Sequence, residues 1–458
     1  MPDPFRHYEG VPVLDLPADP PSPEIPALEL LQGAFGATTA VDGPAFLSEL
    51  LFYSASISAT KWVPSTGDRY ALRVNPSSGN LHPTEFHFIT RGLKQWPDGL
   101  YHYRPSSHMA EQRAIGDFET KPIASSAPIV FVLTSIAWRE AWKYRDRAYR
   151  YCLHDIGHAW QSLALAARAM GCDSLALKDF PDDEVAQFCR LQEDEWPMLI
   201  LELSGESIPL REPEHLEAEH RETVWYGGQA NQLSQETIVY SSIEGIHSAT
   251  KPVTKSDARA EPAPTGIGEI KLPPPASSRL SFGEVARKRR SALDFLGGAQ
   301  SISFPQLSAI LSIARPNFIQ LYLYVHRVDG LDQGVYRYWP ERAELEQIKS
   351  GDQRVAAAGL SLGQDLAGNA CVAFSMIADL DRAVRAHGDR GYRYVHFEAG
   401  AIGQRLYLAA EALGLGATGI GAFFDDEVHR YLNLTPEQGQ VVYHFAIGYP
   451  VPDPRIVA

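Results

Sequence analysis

Three short segments of the sequence combine residue types that could bind a phosphorylated or flat polar ligand. The first is PSSGNLHP, residues 76–83, in which two prolines bracket a Ser-Ser-Gly-Asn turn that presents hydroxyls, an amide and backbone N–H groups. The second is Arg289-Arg290-Ser291, where two guanidinium groups and a hydroxyl can clamp a phosphate. Taken alone, the first also fits a surface turn and the second a solvated basic helix end.

The third segment, GLGATGIGAF at 414–423, is rich in glycine. It contains GxGxxG at Gly414, Gly416 and Gly419, but a long helical pattern precedes it, whereas a dinucleotide-binding fold needs a strand before the motif and a helix after it. We therefore interpret the segment as a loop whose backbone can approach a flat ligand. The alternative is a helix C-cap followed by a tight turn.

Other chemistry-bearing patterns are weak. His154 and His158 have a spacing that could bind a metal, but no third ligand is evident, so we predict a structural role and no metal site. Asp155 forms a His-Asp dipeptide with His154, which is too common a pattern to indicate a function. No GxSxG or Walker motif occurs in the sequence.

The elements that must position these segments come in two copies. Residues 148–171 (AYRYCLHDIGHAWQSLALAARAMG) and 391–414 (GYRYVHFEAGAIGQRLYLAAEALG) align without a gap, and nearly half of the positions are identical. The same offset pairs DDEV at 182–185 with DDEV at 425–428. Two unrelated domains that share a helix pattern are the alternative, but several motifs matching in the same order favour a duplication.

Both copies predict the same order of elements, from a short helix through strands to a long helix, a second helix and a final strand. EFHFIT at 85–90 and LYLYVHRV at 321–328 are predicted strands, and the long helices are predicted to end at the C-cap glycines Gly171 and Gly414. This order predicts an α+β fold with helices packed on mixed or antiparallel sheets. The predicted division is an N-terminal extension at 1–30, a first half at 31–206, a linker rich in Pro, Glu, Ser and Thr at 207–275, and a second half at 276–458.

The two copies differ where the candidate segments lie. The first half carries about 25 additional residues that include the Ser-Ser-Gly-Asn turn, and the second half has only ARPNF at 314–318 in that place. The arginine pair lies in RKRRSALDF at 287–295, which has no evident counterpart in the first half. The glycine segment of the second half replaces CDSLALKDF at 172–180. The candidate ligand-binding parts are therefore complementary between the halves.

Composition and charge exclude several classes of partner. The 458-residue chain has a formal net charge of -15 and a pI near 5.5, which argues against nucleic acid or an anionic membrane as a partner. The first residues lack the apolar region of a signal peptide, and no apolar run approaches the ~20 residues of a membrane span. The four cysteines are scattered without a CxxC pair, so we expect a cytoplasmic protein without disulfides.

Together, the three segments resemble those of the nitroreductase family, whose fold is a flavin-binding α+β dimer. In that family an Arg-Arg-Ser segment grips the FMN phosphate, a glycine-containing loop of the same subunit lies along the isoalloxazine, and a PSSxNxxP loop comes from the other subunit. The resemblance covers both halves but not the linker. It implies an FMN site made of the residues that match these motifs, namely Pro76, Ser77, Ser78, Asn80 and Pro83 from the first half and Arg289, Arg290, Ser291, Thr418, Gly419, Ile420, Gly421 and Ala422 from the second.

The resemblance also implies an intramolecular pseudo-dimer with one FMN per chain, because the mirror site would lack all three motifs. Leu293 and Asp294 stand where the family often has a further basic residue. We therefore expect another cation, Arg73 or Arg455, to contribute to phosphate binding. Whether two such chains form a further homodimer is left open.

Within the family, the sequence looks closest to the azoline dehydrogenases of thiazole/oxazole peptide pathways, the SagB-like group. The resemblance rests on NPSSGNLHPTE at 75–85, GLYHYRP at 99–105 and WKYRDRAYRY at 142–151. In that group a Lys-Tyr pair is implicated in proton chemistry, which implies catalytic roles for Lys143 and Tyr144. The alternative is that both are surface residues of a helix end.

We expect Lys143 to be partly buried beside the flavin, and we interpret Asp389-Arg390 as the replacement of the Lys-Tyr pair in the second half. Oxidation of an azoline removes a hydride, which FMN would accept, and a proton, which a nearby base would accept. The implied function is an FMN-dependent dehydrogenase of a small molecule or peptide heterocycle. The alternatives are an NAD(P)H-dependent nitro or quinone reductase and a degenerate flavin-binding scaffold without turnover.

Overall fold

The computed structural model describes residues 1–65, 67–116, 118, 122–123, 125–212, 223–253 and 262–457. The helices in these ranges are α1 (Ala27–Gln32), α2 (Gly43–Phe52), α3 (Ala137–Tyr144), α4 (Ala148–Ala169), α5 (Asp182–Phe188), α6 (Ser241–Ala249), α7 (Phe282–Lys288), α8 (Phe304–Ser312), α9 (Arg354–Leu360), α10 (Asp365–Asn369), α11 (Leu380–His387), α12 (Gly391–Ala412) and α13 (Asp425–Leu432).

The strands of the first part of the chain are β1 (Tyr8–Glu9), β2 (Val13–Asp15), β3 (Ile57–Val63), β4 (Asp68–Arg73), β5 (Thr84–Thr90), β6 (Gly99–Arg104), β7 (Met109–Ile115), β8 (Ile129–Ile136), β9 (Asp173–Leu177), β10 (Glu195–Ser204), β11 (Val224–Trp225) and β12 (Gln229–Ala230). Those of the second part are β13 (Ile270–Lys271), β14 (Ile302–Ser303), β15 (Ile319–Val325), β16 (Val328–Asp329), β17 (Gly334–Trp339), β18 (Glu344–Ser350), β19 (Val372–Ala378), β20 (Gly416–Ile420), β21 (Gln440–Gly448) and β22 (Ile456–Val457).

Two large sheets, one from each half, have the same strand order. The first runs β11-β7-β6-β5-β8-β10-β9, with β2 also beside β7, and the second runs β13-β18-β17-β15-β19-β21-β20. All the strand pairs within these two sheets are antiparallel. The predicted α+β fold with two similar halves is therefore confirmed.

The central strands of both sheets are buried on both faces, which explains why they are almost continuously apolar. In β8, Phe131 and Leu133 point into the core shared with the long helices, whereas Val130 and Val132 point to the opposite core beside α5. This alternation follows from the two-residue period of a strand. The second half repeats the pattern, so the long helices lie between the two sheets.

The two halves meet through the long helices α4 and α12, which cross with their backbones in contact. A Cβ on Gly157 would lie 2.2 Å from the carbonyl oxygen of Phe397 and 2.9 Å from the Cα of Gly400. A Cβ on Gly400 would lie 2.1 Å from the carbonyl oxygen of His154. Gly157 and Gly400 occupy the same place in the repeat, and the two contacts are reciprocal. The crossing is therefore the pseudo-twofold axis of an intramolecular dimer.

The additional residues of the first half form the hairpin β3–β4. Strand β3 also pairs with β22 at the end of the second half, where Ile456 lies opposite Lys61. Lys61 also forms a 2.9 Å ion pair with Asp453. The hairpin thus joins both halves into one three-stranded sheet.

Both long helices end as predicted. Gly171 and Gly414 follow them with φ of 82° and 73°, the left-handed conformation that favours glycine. In the region predicted as a linker, β11 pairs with β7, and His247 of α6 stacks on Trp196 at 3.9 Å. The described residues of this region up to 253 therefore pack on the first half, whereas β13 pairs with β18 of the second half. Residues 213–222 and 254–261 of this region lie outside the described residues.

We expect Gly157→Ala to destabilise the protein by about 1–3 kcal/mol or more, because the added methyl group meets backbone atoms that cannot rotate away. The measurement is the shift of the thermal unfolding midpoint. Gly245→Ala is the matched control, since a Cβ there meets nothing within 4 Å and alanine favours the helix. Equal shifts for the two variants would contradict a tight helix crossing.

Candidate functional site

A cavity of about 840 Å³ lies between the two halves, on one side of the helix crossing. It brings together the Ser-Ser-Gly-Asn turn of the first half and the arginine and glycine segments of the second. The sequence-predicted residues that line it are Pro76, Ser77, Ser78, Asn80, Lys143, Tyr144, Arg289, Arg290, Ser291, Thr418, Gly419, Ile420, Gly421 and Ala422. Other lining residues come from the hairpin, from the long helices and from β21, and they include Lys61, Tyr70, Arg73, Asp155, His158, Tyr407 and Tyr443.

The serine turn is held by side chains beneath and behind it. The backbone N–H of Ser78 donates to both carboxylate oxygens of Asp155, at 3.1 and 3.2 Å, and the Ser78 hydroxyl donates to the same group at 3.1 Å. Gly79 and Asn80 have φ near +60°, which a tight turn requires. The Asn80 side chain donates to the carbonyl of Ala71 at 3.0 Å. The amide of Asn80 therefore also fixes the turn against β4.

The arginine segment begins where α7 ends, as the sequence indicated. Arg289 is buried, and its Nε donates to the carbonyl of Val74 at 2.9 Å while Nη2 donates to that of Arg73 at 3.1 Å. Its Nη1 is buried and has no hydrogen-bond partner among the described residues. Nε and Nη1 of the buried Arg73 are in the same situation. The Arg73 guanidinium, however, donates to the carbonyl of Pro4 at 2.7 Å and lies over the Phe5 ring, so Nη1 of Arg289 is the unused cationic donor of the arginine segment.

Crowding of positive charge supports an anion-binding role for this corner. Burial, with Arg289 and Arg287 nearby, lowers the pKa of Arg290 to about 10. Burial likewise lowers the pKa of Arg73 to about 10. A phosphate beside Arg290 would relieve the effect on that residue, because it would supply negative charge and strong acceptors. Arg455, predicted as a further phosphate ligand, instead has its guanidinium on Asp453 at 2.7 and 3.0 Å and is not among the lining residues.

The glycine segment differs from the expected loop. Gly416–Ile420 is the edge strand β20, and only the residues after it form a loop. A Cβ on Gly419 would lie 1.9 Å from the Tyr443 hydroxyl, and one on Gly421 would lie 2.1 Å from Cε1 of Tyr151. These two glycines therefore make room for tyrosine rings of the cavity wall, a reason that only the folded structure reveals.

A hydroxyl network joins the arginine and glycine segments. The Tyr407 hydroxyl lies 2.9 Å from that of Ser291 and accepts the backbone N–H of Gly419 at 2.8 Å. The sequence pattern did not single out Tyr407, because it lies inside a helix whose apolar spacing predicts only core packing.

Lys143 and Tyr144 form the end of α3 and lie directly over the serine turn. A Cβ on Gly79 would be 2.6 Å from the Tyr144 hydroxyl and 3.1 Å from Nζ of Lys143. The expectation of a partly buried Lys143 is wrong, since its side chain is exposed at the last turn of a helix.

The expected counterpart of this pair in the second half is also wrong. Helix α11, the repeat partner of α3, ends at Ala386-His387, and Asp389-Arg390 belongs to the turn that follows it. Ala386-His387 therefore stands in place of the Lys-Tyr pair, and the second half has no lysine at this position.

Two buried carboxyl groups near the turn escaped the sequence prediction. Burial raises the pKa of Asp155 to about 7, although hydrogen bonds from Ser77 and Ser78 oppose the shift. Burial and the neighbouring Asp155 raise the pKa of Glu140 well above its usual value. Asp155 was given no function from the sequence because a His-Asp dipeptide is common. Its repeat partner is Glu398, so both halves have a carboxylate at this helix position, which the sequence already shows.

His154 and His158, whose spacing could bind a metal, both contact the side chain of Tyr443. His154 stacks on Tyr443 with ring centroids 4.3 Å apart, and Nε2 of His158 lies 3.2 Å from the Tyr443 hydroxyl. No group of three or more His, Cys, Asp or Glu that could hold a metal occurs within the described ranges.

All four cysteines are buried and free. No helix in the described part of the chain is long and apolar enough to cross a membrane.

The mirror region, on the other side of the helix crossing, contains different residues. Lys178 occupies the place of Gly421, and its ammonium lies 5.3 Å from the Tyr394 ring and 5.8 Å from the Trp160 ring. Trp160 occupies the place of Gly403. Side chains thus stand here at two positions where the cavity side has glycine.

The same ion-pair arrangement occurs on both sides of the helix crossing. Arg147 and Arg150 pair with Asp425, and Arg147 donates to the carbonyl of Gly421 at 3.1 Å. Their repeat partners Arg390 and Arg393 pair with Asp182 at 2.7 and 2.6 Å, and Arg390 donates to the carbonyl of Lys178 at 2.8 Å. The Asp182 cluster is buried, whereas the members of the Asp425 cluster are about 30% exposed.

The sequence was compared with known proteins. A profile of the nitroreductase family matches residues 57–205 and 286–449, one segment in each half. The chain belongs to the nitroreductase family. Proteins of this family generally bind FMN. The double match gives this nitroreductase-family chain two copies of the family's fold.

Individual relatives agree with this assignment. Over 182 residues the chain is 32% identical to the putative nitroreductase MJ1384 of Methanocaldococcus jannaschii, which covers 36% of this chain and 90% of that protein. The crystal structure of a putative nitroreductase from Anabaena variabilis ATCC 29413 superposes with a TM-score of 0.77 at 27% identity, covering 98% of this chain and 94% of that one. The trifolitoxin-processing protein TfxB of Rhizobium leguminosarum bv. trifolii is 28% identical over 140 residues, or 27% of this chain and 36% of that protein.

We expect Asp182→Asn to cost about 3–5 kcal/mol of stability, because it leaves two buried arginines without their shared carboxylate. Asp425→Asn breaks the equivalent but partly exposed pairs and should cost about 1 kcal/mol or less. Thermal unfolding of the two variants checks the difference. If Asp425→Asn lost more stability than Asp182→Asn, the burial of an ion-pair cluster would not determine how much that cluster stabilises the protein.

Proposed function

We propose that this nitroreductase-family protein is an FMN-dependent oxidoreductase with one flavin per chain. The observation that carries the proposal is the meeting of the serine turn of one half with the arginine pair of the other in a single cavity. Its volume is within the range of cofactor pockets, about 300–1,000 Å³. The mirror region holds Lys178 where the cavity wall has Gly421, which supports a single site.

The residues of the cavity fit FMN on chemical grounds. The unpartnered Nη1 of Arg289, with Arg290 beside it, suits the phosphate. The buried Oδ1 of Asn75 also has no partner in the described structure and could accept an N–H of the ring system. Pro76 to Asn80 and Thr418 to Ala422 would hold the flavin from the two halves.

The substrate class that we propose is an azoline-type heterocycle in a peptide or small molecule. TfxB is named for trifolitoxin processing, and its similarity supports a role in modifying a natural product. FMN, when bound, supplies a hydride acceptor for such an oxidation. Lys143 and Tyr144 lie over the serine turn, where they would orient the substrate and take up its proton.

We expect Arg289→Ala to weaken FMN affinity about 10- to 100-fold, because a hydrogen bond to a charged group contributes about 1.5–3 kcal/mol. Riboflavin, which lacks the phosphate, should lose much less affinity in the same variant. The measurement is flavin fluorescence quenching with both ligands, using Arg279→Ala as a control outside the cavity. Equal losses for FMN and riboflavin would mean that Arg289 supports the fold and does not bind the phosphate.

We expect Lys143→Ala to retain flavin and to lose substrate oxidation by about 10²- to 10⁴-fold, the usual contribution of general acid–base catalysis. Anaerobic bleaching of the bound flavin by an azoline-containing peptide measures the reaction, and Lys94→Ala serves as an exposed-lysine control. Full activity of Lys143→Ala would remove this residue from the mechanism. Rapid bleaching by NAD(P)H with no reaction of the peptide would favour the nitro or quinone reductase alternative.

A further inference from the structure

We infer that the Asp155 carboxylate is a positioning group that holds the serine turn in its flavin-binding shape, so that flavin affinity depends on the ionisation of this one residue. The inference rests on the proposed flavin site. It adds a pH dependence of flavin binding, and it adds Asp155, which is not part of the three sequence motifs. It stands on the contacts beneath the turn.

Asp155 is the group on which the turn rests. It is 2% exposed on α4 and receives three hydrogen bonds from Ser78, two from the backbone N–H and one from the hydroxyl. The neighbouring Ser77 hydroxyl accepts the backbone N–H of His82 at 2.8 Å, which fixes the other end of the turn. Gly79, the next residue, lies under Lys143 and Tyr144. A shift of the carboxylate would therefore move the proposed flavin contacts and the proposed catalytic pair together.

The second half provides an internal comparison. Glu398, the repeat partner of Asp155, accepts the backbone N–H groups of Asn317, Phe318 and Ile319 at 2.6, 3.0 and 3.2 Å. Asn317 and Phe318 belong to the short connection that replaces the serine turn, and Ile319 begins β15. A carboxylate at this helix position thus anchors the equivalent connection in both halves, although only the first-half connection lines the cavity.

The groups around Asp155 bring its ionisation into the neutral pH range. Glu140 faces it from α3, Tyr144 lies at the end of that helix, Tyr443 approaches from β21, and Cys152 lies one turn back on α4. Burial is the main cause of the rise of the Asp155 pKa to about 7, and the serine donors oppose it. The flavin-free protein therefore gains a proton at Asp155 as the pH falls through 7.

The direction of the pH effect follows from the hydrogen bonds. An ionised carboxylate accepts from both Ser78 donors, whereas a protonated one loses acceptor capacity and must place a proton among donors. If only the ionised form supports flavin binding, a pKa of about 7 gives an FMN dissociation constant about tenfold larger at pH 6 than at pH 8. Flavin binding would in turn lower the pKa of Asp155, because the two equilibria are linked.

The test is the pH profile of FMN affinity, measured by fluorescence quenching between about pH 5.5 and 8.5. FMN has its own phosphate ionisation near pH ~6, so the wild-type profile is compared with that of Asp155→Asn using the same ligand. We expect Asp155→Asn to bind FMN more weakly at pH 8 and to lose the Asp155-dependent part of the profile. Asp155→Glu should restore a pH-dependent profile, since the second half uses glutamate for the same task.

Glu398→Gln is the matched control and should keep the wild-type profile for FMN. Ser78→Ala removes the hydroxyl donor and keeps the carboxylate, so it should weaken FMN binding and retain the pH dependence. This variant provides the test if Asp155→Asn does not fold. An unchanged profile in Asp155→Asn, or loss of the pH dependence in Glu398→Gln, would overturn the inference. Wild-type protein that binds no FMN at any pH would instead overturn the proposed function on which it rests.

Discussion

The structure depends on the backbone contact between the two long helices at Gly157 and Gly400. No side chain fits between them, so the crossing fixes the distance and the rotation of one half relative to the other. With the halves held in this way, the serine turn of the first half faces strand β20 of the second across the cavity. This single constraint is what places the serine turn of the first half beside the arginine pair of the second.

The lining of the cavity and the assembly of the two halves use some of the same groups. Arg289 donates to two carbonyls of the opposite half and keeps one nitrogen for the cavity. Arg147 likewise holds the carbonyl of Gly421 across the boundary. The contacts that shape the cavity walls therefore also hold the two halves together. Movement of one half relative to the other would change the shape of the cavity. Arg289 is buried at this boundary, a normally unfavourable place for a charge.

Much of this arrangement could be predicted from the sequence, because the repeat is nearly ungapped over its longest helices and the motifs are local. Gly171 and Gly414 were predictable for that reason. The roles of Gly419 and Gly421 were not, because the tyrosines that need their space come from β21 and from the opposite half. The exposure of Lys143 depends on how α3 meets the turn, and Asp155 acquires its role only through contact with Ser78. Such contacts join residues far apart in the chain, beyond the reach of periodicity and spacing.

Lys178 illustrates what covalent fusion makes possible. In a dimer of identical subunits, every substitution appears in both sites, so a lysine at this position would also replace the glycine that Tyr151 requires at Gly421. Here the two positions belong to one polypeptide and can mutate independently. One copy can therefore carry a bulky residue at this position while the other keeps the glycine. The fusion turns a symmetric assembly into one in which each copy can specialise.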